Sequence, residues 1–461
     1  MGHFLSEPPG EVPAVSRRLL VACLFAAVFV IPAEAAGGPA GAGARTSPNV
    51  TVLGNIPGSY AGMVFSGHFA YATGWATGLS VFDISDPVAP VQVGALALPH
   101  FENEDVDLCG TTLLIANDRA VEDVGGVLHV VDITVPAAPR LAASLPLGLT
   151  LSGRGPGHIA NFVTPDCTQA WIDGGDDVEV VDLTVPAAPR SLGSFKSLAS
   201  TGPDPAQPAA FEVTHDTERD DTGTLWSVGG GGVAGYRLSA DPLAPDLVTS
   251  SGPLGTNVDF DEATSPYNDF ILHNSQRSGD TLLVTEEDYI DMNGDDNQPG
   301  SCNGQGKFET WTTDPGVGAM RPLDTWRTEL NSADSKAPLT VNCSSHWFDT
   351  RDDVAAVGWY EQGVRFLDTR NPREIRQIGY YLPLAGSTWA AYWSPTAPDI
   401  LYTTDVYRGI DVLRIDRGSP PDAPTVAAPI LDEWYGLPGT SSGVAGFRPS
   451  ETWGYFCAIR G

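Results

Sequence analysis

The chain has 461 residues, of which 57 are acidic and 25 basic, giving a formal charge of −32 at neutral pH. So acidic a surface repels phosphate backbones and anionic lipid heads, which argues against nucleic acid as a partner and leaves cations or basic protein surfaces as the better match. Length alone fits two or three domains, but a regular internal repeat overrides that reading and allows one large domain.

At the N-terminus, Arg17 and Arg18 precede an apolar run from Leu19 to Ile31, too short for a comfortable membrane span, and Ala33-Glu34-Ala35 follows as a small-x-small cleavage site. Residues 1–35 therefore read as an export signal, and the mature chain is expected to carry no membrane span. The stretch Ser16–Ala22 partly resembles a twin-arginine signal, so both that route and the general secretory route stay open. Cys23 sits in a lipoprotein-like box, but the apolar run continues past it, which argues against lipidation. Residues 36–48 read as a flexible linker, and Asn49–Ile56 (NVTVLGNI) as an orphan strand.

Six segments then repeat one pattern at a period of roughly 50 residues. They are GLSVFDISDPVAP from Gly78, VLHVVDITVPAAP from Val127, VEVVDLTVPAAP from Val178, GVAGYRLSADPLAP from Gly232, GVRFLDTRNP from Gly363 and GIDVLRID from Gly409. A degenerate seventh copy lies between Gly306 and Trp326. Each copy has a β-branched run, a turn at Asp with one or two prolines, and a second run such as VQVGAL or RQIGYY. Two further short runs precede each copy, so every unit carries four strands. Four antiparallel strands per repeat predict an all-β, seven-bladed β-propeller spanning residues 49–418. The last copy lacks its outer strand, and the orphan N-terminal strand supplies one, so the ring is expected to close by pairing the two.

Two segments fall outside the repeat: an insertion at Glu287–Gly304 in the fifth unit and a Pro/Gly-rich tail at Ser419–Gly461. Five cysteines follow the signal, with no metal-binding spacing among them. Outside the cytosol disulfides are the default, and Cys109 with Cys167 and Cys302 with Cys343 each join segments of neighbouring blades. Cys457 is left over.

Four histidines, His158, His215, His273 and His346, fall at one repeat position, each opening the innermost strand of units three to six. Inner strands line the channel of a propeller, so the four imidazoles should converge at one face around the axis. Imidazole is a preferred ligand of copper, zinc and iron, which makes a transition-metal site the sharper expectation and calcium a lesser one. The turns between second and third strands open on the same face and carry Asp118, Asp173, Asp176, Glu286, Glu287, Glu361 and Asp405. Of these, Glu286, Glu287, Glu361 and Asp405 are the candidates to orient the imidazoles or to handle protons. The competing account is a solvated polar channel mouth in so acidic a chain.

Other signals are weaker. His129 lies in an apolar strand and reads as packing. Asp291–Asp296 begins like a calcium loop, but Cys302 stands where its bidentate Glu belongs, which excludes an EF-hand. The G-x-S-x-G match at Gly439–Gly443 lacks a preceding strand and a following helix. Aromatics from Trp347 to Trp393 read mostly as inter-blade packing, with a few able to floor a pocket.

Through VVDITVPAAP, VVDLTVPAAP and their relatives, the chain resembles the LVIVD-repeat family of β-propellers over about residues 50–416. The resemblance implies the fold and leaves the activity open. Two functional readings follow: an exported propeller with a histidine-rich metal site at the channel mouth, or a non-catalytic extracellular or cell-envelope scaffold whose ring face or tail binds a protein or glycan. Small-molecule and protein ligands both remain open, and a monomer is expected.

Overall fold

The repeat motif is a machine for making one kind of turn. In four blades the Asp closing the third strand accepts the backbone N–H two residues on: Asp83 from Ser85, Asp132 from Thr134 and Asp182 from Thr184, each at 2.8 Å, and Asp368 from Arg370 at 2.9 Å. A β-turn follows at once, with Ala89 N–H donating to Asp86 O, Ala138 to Val135 and Ala188 to Val185. An Asx-turn followed by a proline-bearing β-turn reverses the chain and starts the outer strand in register. The fourth unit lacks the Asp, and there Ser239 Oγ accepts the N–H of Asp241 instead.

The computed structural model of the chain describes residues 44–75, 77–98, 105–117, 126–148, 157–203, 213–252, 270–288, 302, 304–332, 341–383, 386–418, 420 and 426. Their strands form seven sheets, each built on four antiparallel strands that run from the inside of the ring outward. Blade 1 shows the order: Tyr60–Ser66 innermost, then Phe69–Gly74, Gly78–Asp83 and Val91–Ala97. The inner strands of blades 2 to 7 are Val106–Cys109, Ala160–Phe162, Thr214–Arg219, Phe270–Ser278, Phe348–Arg351 and Thr388–Trp393. No described helix is long and apolar enough to cross a membrane.

Each of the seven interfaces between adjacent blades has its own apolar cluster, such as Tyr71, Val81, Leu113, Ile115 and Val131 between blades 1 and 2. The seventh interface joins the ends of the chain, with Phe82 and Ile84 of blade 1 packed among Tyr392, Tyr402 and Val412 of blade 7. The outer strand of blade 7 is Val50–Ile56, paired antiparallel with Ile410–Ile415, so the ring closes as the sequence predicts. Gly409, at φ 98°, starts that third strand so near its partner that an added Cβ would lie 2.1 Å from Ile56 O.

Three boundaries differ from the sequence reading. The segment read as a linker is structured at its end, where Ala44–Thr46 pairs with Tyr381–Pro383 as a fifth strand of blade 6. In the degenerate fifth unit the fourth strand is Pro322–Trp326, while Gly316–Met320 crosses to pair in parallel with Asp246–Ser251 of blade 4. Both additions cover an outer edge that would otherwise expose unpaired N–H and C=O groups. The inserted segment starts later than the sequence suggests, because Glu287 and Asp288 still belong to the strand Thr281–Asp288. The calcium-like loop at 291–296 lies outside the described residues, as do residues 1–43, Asp118, Gly439–Gly443 and Cys457. Within the tail, Val426 is buried against Leu330, Val341 and Tyr380, and its N–H donates to Glu329 Oε1 at 2.8 Å.

Both expected disulfides are present, Cys109–Cys167 between blades 2 and 3 and Cys302–Cys343 between the fifth and sixth units. Two disulfides fit an oxidising compartment. His129 packs within blade 2, with Nδ1 2.9 Å from Ser144 Oγ.

Candidate functional site

The inner strands of four blades do not pair residue for residue with their neighbours. The register skips over His215 in blade 4, His273 in blade 5 and Trp389 in blade 7, and over Ala61 and Gly62 in blade 1. Such a bulge frees one residue from the ladder and re-aims its side chain. The repeat therefore places the first turn of the inner strand, and the bulge presents the side chain.

The imidazoles follow one another around the ring. His158 Nε2 lies 3.0 Å from His215 Nε2, the His215 and His273 rings are 3.8 Å apart between centroids, and His273 and His346 are 4.0 Å apart. All four are brought together, as their shared repeat position predicts. His215, His273 and His346 are buried.

Two contacts fix the tautomers. His215 Nδ1 lies 2.9 Å from the carbonyl oxygen of His273, and His346 Nδ1 lies 2.9 Å from that of Trp389. In each case the acceptor is the equivalent residue of the next blade. A carbonyl only accepts, so both Nδ1 atoms carry the hydrogen, and each neutral ring is left with its lone pair on Nε2. His215 Nε2 is the atom that meets His158, and His346 Nε2 lies 3.9 Å from Glu287 Oε1.

Glu287 joins the arc from the second strand of blade 5. Its Oε2 is 3.5 Å from His273 Nε2, and its Oε1 accepts a short hydrogen bond from the Tyr360 hydroxyl. His215, His273 and Glu287 can each present one donor atom such that all three fall within 4.8 Å of one another. That span is somewhat wider than the about 3.3 Å separating donors on a tetrahedral ion with bonds of about 2.0–2.1 Å.

The other carboxylates named from the sequence have partners on the surrounding loops. Glu286, one residue along the strand and facing the opposite way, accepts from Gly306 N–H at 2.6 Å and lies 3.5 Å from the buried Lys307 Nζ. Burial lowers that lysine to about 8, although Glu309 acts in the opposite direction. Glu361 accepts from Asn342 N–H at 2.9 Å, and burial raises its carboxyl to about 8. Asp405 accepts from Tyr407 and Arg408 N–H, closing the turn before the last strand, and burial raises it to about 6. These three hold loops of the channel face. Asp173 is the carboxylate beside His158; burial raises it to about 6, with Thr217, Thr214 and His158 acting against that rise.

The LVIVD repeat family matches residues 57–97, which contain the whole of blade 1 from Tyr60 to Ala97. This chain is a seven-bladed β-propeller with an LVIVD repeat in its first blade. No curated protein matches the propeller in sequence. Among solved structures it is similar to a 6-phosphogluconolactonase candidate from Bacteroides uniformis, at TM-score 0.52 and 13% identity over 75% of this chain and 90% of that one. It is similar also to a second such candidate, from Bacteroides fragilis, at TM-score 0.52 and 9% identity over 78% and 91%. At these identities the likeness concerns the fold alone.

On the far side of the propeller's imidazole arc the wall is aromatic. Trp389 takes the histidine position in blade 7, its ring 4.2 Å from His346 and 4.8 Å from Trp75, and Ala61 takes it in blade 1. Tyr360 packs 5.0 Å from the His346 ring. From the sequence Trp389 and Tyr360 belong to a group of aromatics read mostly as packing, of which a few could floor a pocket. The spacing of 43 residues from His346 to Trp389 was the available signal for the first. Tyr360 gave no signal, because its left-handed backbone, φ 42°, depends on the fold.

Proposed function

We propose that this propeller is an exported metalloprotein in which His158, His215, His273 and His346, with Glu287, hold a transition-metal ion at the channel mouth. The observation that carries this reading is the tautomer lock on His215 and His346. Each blade's backbone carbonyl takes the Nδ1 hydrogen of the preceding blade's histidine and leaves Nε2 as a donor. Metal-ligating histidines are oriented in the same way, by a hydrogen bond from the other ring nitrogen. A set of imidazoles with one carboxylate suits copper, zinc or iron. When bound, the ion supplies Lewis-acid or electron-transfer chemistry. The chain's own contribution is to orient His215 and His273 through the bulges, to hold Glu287 through Tyr360, and to border the site with the aromatic wall of Trp75 and Trp389. Export is supported by the arginine-led apolar segment at residues 17–31 and by the two disulfides.

Elemental analysis of protein purified without a histidine tag tests the assignment. About one equivalent of transition metal per chain is expected, and the double variant His215→Ala, His273→Ala should lose it while keeping its β-sheet circular dichroism. Unchanged metal content in that variant, or wild-type protein that neither retains nor takes up a stoichiometric ion, refutes the site.

A further inference from the structure

Three aromatic side chains lead from the imidazole arc toward the surface. Tyr360 and Trp389 are buried, with 0% and 6% of their surfaces exposed, whereas Trp75 is only partly buried, in the turn between Phe69–Gly74 and Gly78–Asp83 of blade 1. Their rings meet in sequence. Tyr360 lies 5.5 Å from Trp389 between centroids, at 88°, and Trp389 lies 4.8 Å from Trp75, at 80°. The inner end touches the site twice, through the 4.2 Å contact of Trp389 with His346 and through the hydrogen bond from the Tyr360 hydroxyl to Glu287.

Edge-to-face contacts of this kind are ordinary packing and by themselves say no more. The polar atoms of the rings add two observations. An indole N–H can only donate, and a buried one usually finds an acceptor, yet Trp389 Nε1 is buried and has none among the described residues. An indole that loses one electron there has no base to take its proton, so it stays a radical cation that a neighbouring ring can reduce again. Tyr360 is the opposite case. Its hydroxyl donates to a carboxylate, so loss of an electron can be accompanied by passage of the proton to Glu287, which leaves a neutral tyrosyl. Tryptophan and tyrosine are the side chains without sulfur that give up one electron most readily, and here they connect a buried site with a partly exposed indole.

We propose that Trp75, Trp389 and Tyr360 form a relay that carries single electrons from the channel-mouth site to a one-electron acceptor docked at Trp75. The acceptor takes an electron from Trp75, Trp389 refills Trp75, and Tyr360 refills Trp389 while its phenolic proton passes to Glu287. One electron leaves the chain, and one proton changes place within it. The net charge of −32 favours a cationic acceptor or a basic partner surface. The inference rests on the proposed function for its use, because it makes the imidazole site a redox one, suited to copper or iron rather than to zinc, which has no redox chemistry.

The test uses the full chain stripped of metal with a chelator, so its outcome does not depend on whether the histidines hold an ion, which elemental analysis decides separately. Tris(bipyridine)ruthenium, a cation attracted to an acidic surface, is photo-oxidised in solution with the protein, and the radicals formed are read by electron paramagnetic resonance. The wild type should show a tyrosyl radical that Tyr360→Phe removes, leaving the signal on tryptophan. Trp389→Phe and Trp75→Phe keep a ring at each contact but not a readily oxidised one. Each should lose the Tyr360 radical while keeping its β-sheet circular dichroism. If Trp389→Phe fails to fold, Trp75→Phe serves, because that indole is only partly buried in a turn. A tyrosyl signal that survives Tyr360→Phe unchanged overturns the relay, as does a Tyr360 radical that forms at the wild-type rate in the folded tryptophan variants.

Discussion

Glu361 shows what a carboxylate costs when the fold withholds water from it. It is buried, accepts one backbone N–H from Asn342, and feels the like charge of Asp405, with burial the largest influence. Its folded value of about 8 stands above the 4.5 of an ordinary glutamate. The folded state therefore keeps its proton while the unfolded chain gives it up, and this contribution to stability is lost as pH rises from about 4.5 to about 8, at about 1.4 kcal/mol per pH unit. Glu361→Gln should remove that slope: the variant should gain on wild type in melting temperature as the pH is raised from 5 to 8, and parallel pH profiles would contradict the assignment. Tyr360 pays a related cost in its backbone. A buried tyrosine at φ 42° is held there by its surroundings, here by mutual backbone hydrogen bonds with Thr388 of the next blade. That strained position carries the hydroxyl bonded to Glu287. The histidines could be read from the sequence because repetition alone fixes their place. Tyr360, and which of Glu286 and Glu287 faces the imidazoles, could not, because they depend on local backbone geometry.

At the scale of the strand, the pattern that was easiest to read is the one with a local cause. Asp132 with Thr134, or Asp182 with Thr184, makes its turn without help from the rest of the chain, so the third and outer strands of blades 1, 2, 3 and 6 were visible as sequence. The inner strands were legible only by position relative to those turns, and their bulges were not legible at all, since a skipped register leaves no mark in composition. The two added edge strands were missed for a further reason. Ala44–Thr46 and Gly316–Met320 are short and find partners in blades to which they do not belong in sequence order. Gly409 offers a test of how tightly the last blade is shut. An alanine there carries a left-handed penalty of about 1–2 kcal/mol and sets its Cβ against Ile56 O. Gly409→Ala should lower the melting temperature, and should do so more than alanine at Gly67, which also has positive φ but open space around it. Equal losses at the two positions would mean that the close approach does not matter.

Across the whole molecule, stability is spread over seven blade interfaces, and the disulfides add covalent ties at two of them. Cys302–Cys343 encloses 41 residues of the fifth and sixth units, and Cys109–Cys167 encloses 58. Loop-closure entropy puts each at about 4 kcal/mol of restraint on the unfolded chain. Cys302→Ala with Cys343→Ala should therefore shift chemical unfolding to markedly lower denaturant, and reduction of the wild type should add little to the loss in that variant beyond the effect of Cys109–Cys167. A variant as stable as the wild type would show that the unfolded chain is already held compact there.

The pairing of Val50–Ile56 with Ile410–Ile415 also sets an order in time. That early strand is among the last to find its partner, because the partner lies far along the chain. Until then blade 7 lacks its outer strand and the interface between blades 7 and 1 is unmade, leaving Phe82, Tyr402 and their neighbours uncovered. Local hairpins of the middle blades can form early, whereas closure waits for the final segment and joins the most distant residues in the ring. A chain interrupted before Ile410 would thus be a stack of folded blades with two raw ends, open to proteases and to other copies of itself. Closure of the ring, rather than the gain of any one blade, should be the step that protects this protein from both.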